Sequence, residues 1–172
     1  MPFEISLDIA ATEALLRAAV DKVARPEPLM RTIATEMATV TALNFLSQGR
    51  PRWLGLKNPS ARRANGMILQ DKGHLRDSVT PFNTDTTAGV GSNLVYAAIH
   101  HLGGQTRPHT ILPRNKKALA FGNRVVKKVN HPGSKIPARP FLPIYGSGQL
   151  QPEAATEIQA AVQDYLRSIM AG

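Results

Sequence analysis

The stretch Ala118-Leu119-Ala120-Phe121-Gly122-Asn123-Arg124-Val125-Val126 decides the fold class. Two β-rich runs flank a Gly-Asn pair, and glycine readily takes the positive φ that the first position of a type II′ turn requires. The spacing predicts a tight antiparallel hairpin. Upstream, Leu75 to Phe82 reads as another strand, Asn83-Thr84-Asp85-Thr86 as a turn, and Ala88 to Gly91 as the returning strand. Leu94 to Leu102 predicts a short helix stopped by Gly103-Gly104. Gln105 to Lys116, polar and interrupted by Pro108 and Pro113, predicts a loop.

Farther out the period changes. Phe3, Ile5 and Leu7 alternate with Glu4, Ser6 and Asp8 as in a short half-buried strand. Asp8 to Ala24 is helical in pattern, with Ile9, Leu16, Val20 and Val23 on one side. Pro26 and Pro28 open a second helix, whose Leu29, Ile33, Met37, Val40 and Leu43 fall within an arc of about 120° at ~100° per residue. Gly49, Pro51, Gly55 and Pro59 end it and begin a basic loop running to Asn65. Pro152 starts a final helix with Ile158, Val162, Tyr165 and Ile169 on one face. Helices at both ends of a set of hairpins imply an α+β fold: a mostly antiparallel sheet with β-hairpins, packed by the N-terminal and C-terminal helices. A chain of 172 residues is most simply one domain, spanning 1–172, with loops at 49–65 and 103–116.

Composition narrows the classes further. Without cysteine there is neither a disulfide framework nor a thiolate metal site, which suits a reducing cytoplasm. Met1-Pro2-Phe3-Glu4-Ile5 lacks the basic then apolar pattern of a signal peptide, and no apolar run approaches the ~18 residues needed to span a bilayer. A soluble protein without a membrane partner is expected. Net charge is +9 and unevenly spread. Between Asp85 and Glu153 there is no acidic residue, while Arg107, Arg114, Lys116, Lys117, Arg124, Lys127, Lys128, Lys135 and Arg139 all fall inside. Such asymmetry points to an acidic partner surface or to nucleic acid, set against the plainer reading of a solvated basic face.

Five short blocks stand in order along the second half: Leu69-Gln70-Asp71-Lys72-Gly73-His74-Leu75-Arg76-Asp77-Ser78, Val90-Gly91-Ser92-Asn93, Tyr96-Ala97-Ala98-Ile99-His100, Gly103-Gly104, and Ile136-Pro137-Ala138-Arg139-Pro140-Phe141-Leu142. In this order and spacing the chain resembles the phage virion morphogenesis family, the tail completion proteins of Mu-like tailed phages. The resemblance is close over Gly66 to Leu142 and extends to the flanking helices in pattern only. It implies a structural protein with no catalytic activity, cofactor or metal, which completes the tail or joins head and tail as a terminator or neck ring. It also implies an α+β fold shared with tail terminator and head–tail connector proteins. The implied partners are copies of itself in a ring, commonly a hexamer, the tail tube and head-connector proteins, and DNA passing through the ring. The implied place is the virion, at the head–tail junction or tail end, after assembly in the host cytoplasm.

Candidate contact residues follow from the blocks and the charge. Read as a strand, Leu75-Arg76-Asp77-Ser78 frees Arg76 for a forked ion pair with a neighbouring strand or subunit, or leaves it solvated. Tyr96, Ile99 and His100 share a helix face suited to burial. The proline-rich block 136–143 is stiff and presents Arg139, Pro140 and Phe141 either as a docking or packing segment or as a rigid linker into the last helix. Trp53, the only tryptophan, lies in a basic Pro/Gly-rich loop and is a candidate interface anchor. Arg62, Arg63, Arg114, Lys116, Lys117, Arg124, Lys127 and Lys128 are candidate contacts to DNA or to an acidic neighbour.

Two rivals are weighed against assembly. A small basic nucleic-acid-binding module fits the charge, but no GxxG or RNP-type stacking strand is visible and aromatics are few. A nuclease built on His74, His100 or His101 would need clustered carboxylates, and that half offers only Asp71, Asp77 and Asp85. His100-His101 as a metal pair fails because adjacent helical residues point apart.

Overall fold

A computed structural model describes residues 10–57, 59, 66–121 and 123–171. The expected strand at Phe3 to Leu7 lies outside the described residues, as do Arg62 and Arg63.

The fold is α+β. Helix α1 spans Ala10–Ala24 and α2 spans Glu27–Leu46, entered through Pro26 and Pro28 in the first turn, where the missing N–H leaves no helical bond unmade. Threonines along α2 return their hydroxyls to the helix's own carbonyls, Thr41 Oγ1 donating to Met37 O at 2.8 Å. This satisfies the hydroxyl of Thr41, the buried threonine among them. The C-terminal helix α5, Pro152–Ala171, lies against α2. α1 is tied to α5 through Tyr165, whose hydroxyl donates to Lys22 O at 2.6 Å. The apolar side expected on α1 is present but uncovered, Leu16 and Val20 being 62% and 65% exposed.

The strand expected from Leu75 begins later. His74–Asp77 forms one helical turn, α3, and the strand β1 is Val79–Asn83. The reason is local. Gly73 sits in the left-handed region at φ 80°, turns the chain into the helix, and accepts from Asp77 N at 2.9 Å. Ser78 Oγ then donates to Leu75 O at 2.7 Å and closes the turn. Alternation over four residues had no means of registering that turn. β1 pairs antiparallel with β2, Ala88–Ser92, across the expected Asn83–Thr86 turn. This hairpin packs on α2.

After α4, Ala97–Leu102, the stretch expected as a loop instead carries two short strands, β3 at Gly104–Gln105 and β4 at His109–Ile111. The expected hairpin is β5, Leu119–Phe121, with β6, Arg124–Val126. β7, Val129–His131, and β8, Lys135–Ile136, follow. The pairs are nested: β5 with β6, β4 with β7, and β3 with β8. Residues 104–136 therefore form one long two-stranded arm rather than a loop beside a hairpin. Its strands pack chiefly on each other, not on the helices. The antiparallel content is thus divided into separate two-stranded ribbons.

The core lies where α2, α4, the loop after α2 and the segment after β8 converge. Phe45, Trp53, Leu75, Ala97 and Phe141 form its centre. Phe45 meets Trp53 edge-on at 5.7 Å and Phe141 at 5.4 Å between ring centroids.

Candidate functional site

The proline-rich segment 137–143 has no strand partner, and three of its seven backbone nitrogens belong to proline. Extended backbone buried without a ladder must find its hydrogen bonds elsewhere. It does so through side chains and helix ends drawn from four separate parts of the chain. Arg139 N donates to His100 O at 2.9 Å. Trp53 Nε1 donates to Pro140 O at 3.1 Å. Phe141 N and Leu142 N both donate to His101 Nδ1, at 3.2 and 3.4 Å. Asn44 Nδ2 donates to Phe141 O at 3.1 Å, and Gln151 N, just before α5, donates to Pro143 O at 2.9 Å.

Asn44 is the hub. Fully buried, it also donates to Gln151 Oε1 at 2.7 Å and accepts from Arg50 Nε at 2.9 Å. Arg50 in turn donates to Val40 O at 3.1 Å, closing the C-terminal end of α2. The two backbone donors fix the state of His101: Nδ1 is an acceptor, so the neutral ring carries its proton on Nε2. Burial pushes the His101 pKa down, which keeps that state.

Gly103, at the end of α4, makes the close approach possible. At φ 75° it turns the chain, and a Cβ there would lie 2.7 Å from Ala138 N. The Gly103 block and the proline-rich block therefore touch backbone to backbone.

The expected contact residues divide under this geometry. Trp53 and Phe141 are core residues, 6% and 0% exposed, so neither ring is offered to a partner surface. The basic, Pro/Gly-rich surroundings of Trp53 suggested a surface loop, but its indole folds back to bond Pro140. Arg139 is buried, donating to Leu54 O at 3.0 Å and Gly55 O at 3.2 Å, with no carboxylate on it among the described residues. Burial pulls its pKa down. Arg76 stands at the surface on α3, not on a strand, and pairs with Asp77 of its own chain at 2.7 Å. Tyr96 and His100 do share a face, their rings edge-on at 5.9 Å. Burial, and then the Arg139 charge, lower the pKa of His100. A groove of about 340 Å³ opens here between Leu56, Leu69, Tyr96, His100 and Arg139.

Arg114, Lys116, Lys117, Arg124, Lys127 and Lys128 are all exposed on the arm, without an ion pair or side-chain hydrogen bond among the described residues. Sequence reasoning missed Asn44, Arg50, His101 and Gln151. A signal existed for the first: Asn44 lies one helical turn after Val40, a polar residue inside the apolar stripe of α2. No cluster of three or more His, Asp or Glu side chains occurs among the described residues. No helix among them is long and apolar enough to cross a membrane.

A family model described as the phage virion morphogenesis family matches residues 7–167 of this chain. The chain is also similar to the Mu-like prophage FluMu G protein 2 of Haemophilus influenzae, with 34% identity over 159 residues, covering 92% of this chain and 91% of that protein. No solved structure matches it. The matched span takes in the α2–α5 pair, the arm and the clamped segment together.

Proposed function

The chain belongs to the phage virion morphogenesis family, and on that premise we propose that it is a structural virion protein that completes the tail or joins head and tail. It acts by surface complementarity and not by catalysis. Copies of one domain, residues 1–172, assemble as a ring, a hexamer by analogy with terminator and connector proteins. The ring seats on the tail tube at the head–tail junction, offers its other face to the head connector, and leaves a passage for DNA.

The observation that carries this reading is the family match from residue 7 to residue 167, which spans nearly all of the described chain. The clamped segment supports it physically. Six side-chain and backbone bonds hold 139–143 in one conformation, and a subunit that docks without rearranging loses little entropy on assembly. In this reading Tyr96, His100 and Arg76 lie at or near the contact, while Trp53, Arg139, Pro140 and Phe141 fix the shape behind it.

The test is negative-stain imaging of the purified protein, alone and mixed with tails that lack this subunit. A ring seated on the tail end is expected. The rival, a small basic nucleic-acid-binding module, has the arm's exposed cations in its favour. Monomers that ignore tails but bind duplex DNA, with affinity falling steeply as salt rises, would replace the assembly reading with that one.

A further inference from the structure

The arm is an unusual object for a protein to display. A two-stranded ribbon is marginal in water unless something covers a face or an edge. This one extends from Gly104↔Ile136 at its base to Phe121↔Arg124 at its tip. Arg124 and Ile136 are twelve residue steps apart, so at a strand rise of ~3.3 Å it reaches up to about 40 Å. It leaves Leu112 and Val125 64% and 72% exposed. Its cations find no carboxylate among the described residues of their own chain, and the arm itself carries no acid.

The opposite arrangement exists on the helical side. A groove of about 310 Å³ between α2 and α5 is lined by Leu29, Ala160, Ala161, Glu36, Glu157 and Asp164 among others, with no basic residue in its lining. Asp164 is held by Arg167 at 3.0 Å. Glu36 and Glu157 have no cationic partner among the described residues. The groove lining thus combines apolar side chains with two carboxylates that have no cation on them among the described residues. The arm has exposed apolar side chains, Leu112 and Val125, close in sequence to cations that have no carboxylate on them among the described residues.

We infer that the basic arm of one copy docks in the acidic α2–α5 groove of the next copy. Lys127 and Lys128 face Glu36 and Glu157, and Leu112 or Val125 covers the apolar lining. Because arm and groove are different surfaces, the contact is head-to-tail, the kind that builds a closed ring when its rotation permits. This rests on the ring reading above and specifies which surfaces make it.

The experiment is a charge swap in the full-length protein. Wild type, K127E/K128E, E36K/E157K and the four-fold combination are compared by sedimentation velocity across concentration at low and high salt, and by imaging on tails. Circular dichroism confirms folding. Each reversal alone is expected to weaken self-association about tenfold or more, the combination to restore it, and salt to dissociate the wild type. Association unaffected by either reversal, or not restored by the combination, overturns the inference. So does a wild type that associates neither alone nor on tails. Rings that still seat on tails despite uncoupled reversals would overturn this contact and leave the assembly role standing. A wild type that never engages tails would remove that role as well.

Discussion

Truncating Asn44 to alanine tests the clamp directly. Asn44 is wholly buried and serves three partners: Phe141 O, Gln151 Oε1 and Arg50 Nε. Arg50 keeps Val40 O after the truncation, so its loss is partial. The other two become buried acceptors without donors, at about 1–3 kcal/mol each. The expected cost is about 4 kcal/mol. That is a large share of the roughly 5–15 kcal/mol of a typical domain, and corresponds to a fall in Tm of about 8–16 °C at this size. Asn44→Asp keeps the volume but also lacks the donating amide, so it should be destabilised at least as much. Urea unfolding followed by tryptophan fluorescence is the suitable assay, because the single tryptophan is itself bonded to the clamped segment at Pro140. Helix content at 222 nm, recorded in parallel, reports α2 and α5. If Asn44→Ala and Asn44→Asp both stay within about 1 kcal/mol of wild type, the network does not hold the segment and the reasoning fails.

Further outcomes follow from neighbouring features. Phe141→Ala removes a fully buried ring packed on Phe45 and His101 and should cost about 3–5 kcal/mol, against under about 2 kcal/mol for Phe141→Leu, read from denaturation midpoints. Gly103→Ala places a methyl 2.7 Å from Ala138 N at a positive φ, and should cost at least about 2 kcal/mol in the same assay. The pKa values of His100 and His101 are lowered by burial from 6.5, so the unfolded chain takes up more protons once pH drops below that value. Their contribution is therefore intact above about pH 6.5 and declines as pH falls towards the lower folded values. Tm should be lower at pH 5.5 than at pH 7.5, with a shallower slope in His101→Gln; a flat or inverted profile would contradict the assignment.

Much of the architecture was legible because it is periodic. The stripe from Leu29 to Leu43, the face from Ile158 to Ile169, and the two β-rich runs 118–121 and 124–126 each state their element locally, and α2, α5 and the β5–β6 pair are present. The class and the family blocks followed. What escaped was set by distant contacts. The arm's outer pairs join residues such as His109 and His131, which no local pattern links, so 105–116 read as a loop. Trp53 read as a surface anchor because its neighbours are polar and kinked, while its position is decided by Phe45 and Pro140. Arg139 and Phe141 stand out in the sequence, but their bonding partners lie 39 to 97 positions away. Of the side chains that clamp this segment, only Asn44, a polar residue in an apolar stripe, left a local trace in the sequence.

The clamp also sets a schedule for synthesis. Asn44 and Gln151 are 107 residues apart. At about 5–20 residues per second, a ribosome needs roughly 5–20 s to supply the second after the first. For most of that interval α2 has only the β1–β2 hairpin to cover it, because the Phe141 segment is made near its end and α5 after it. The basic arm is translated in the meantime and can zip from its tip, since its innermost pairs are close in sequence. The core therefore closes last, around an arm already made. Nascent chains stalled before Gln151 should present the α2 stripe to chaperones and proteases, and those released beyond α5 should not.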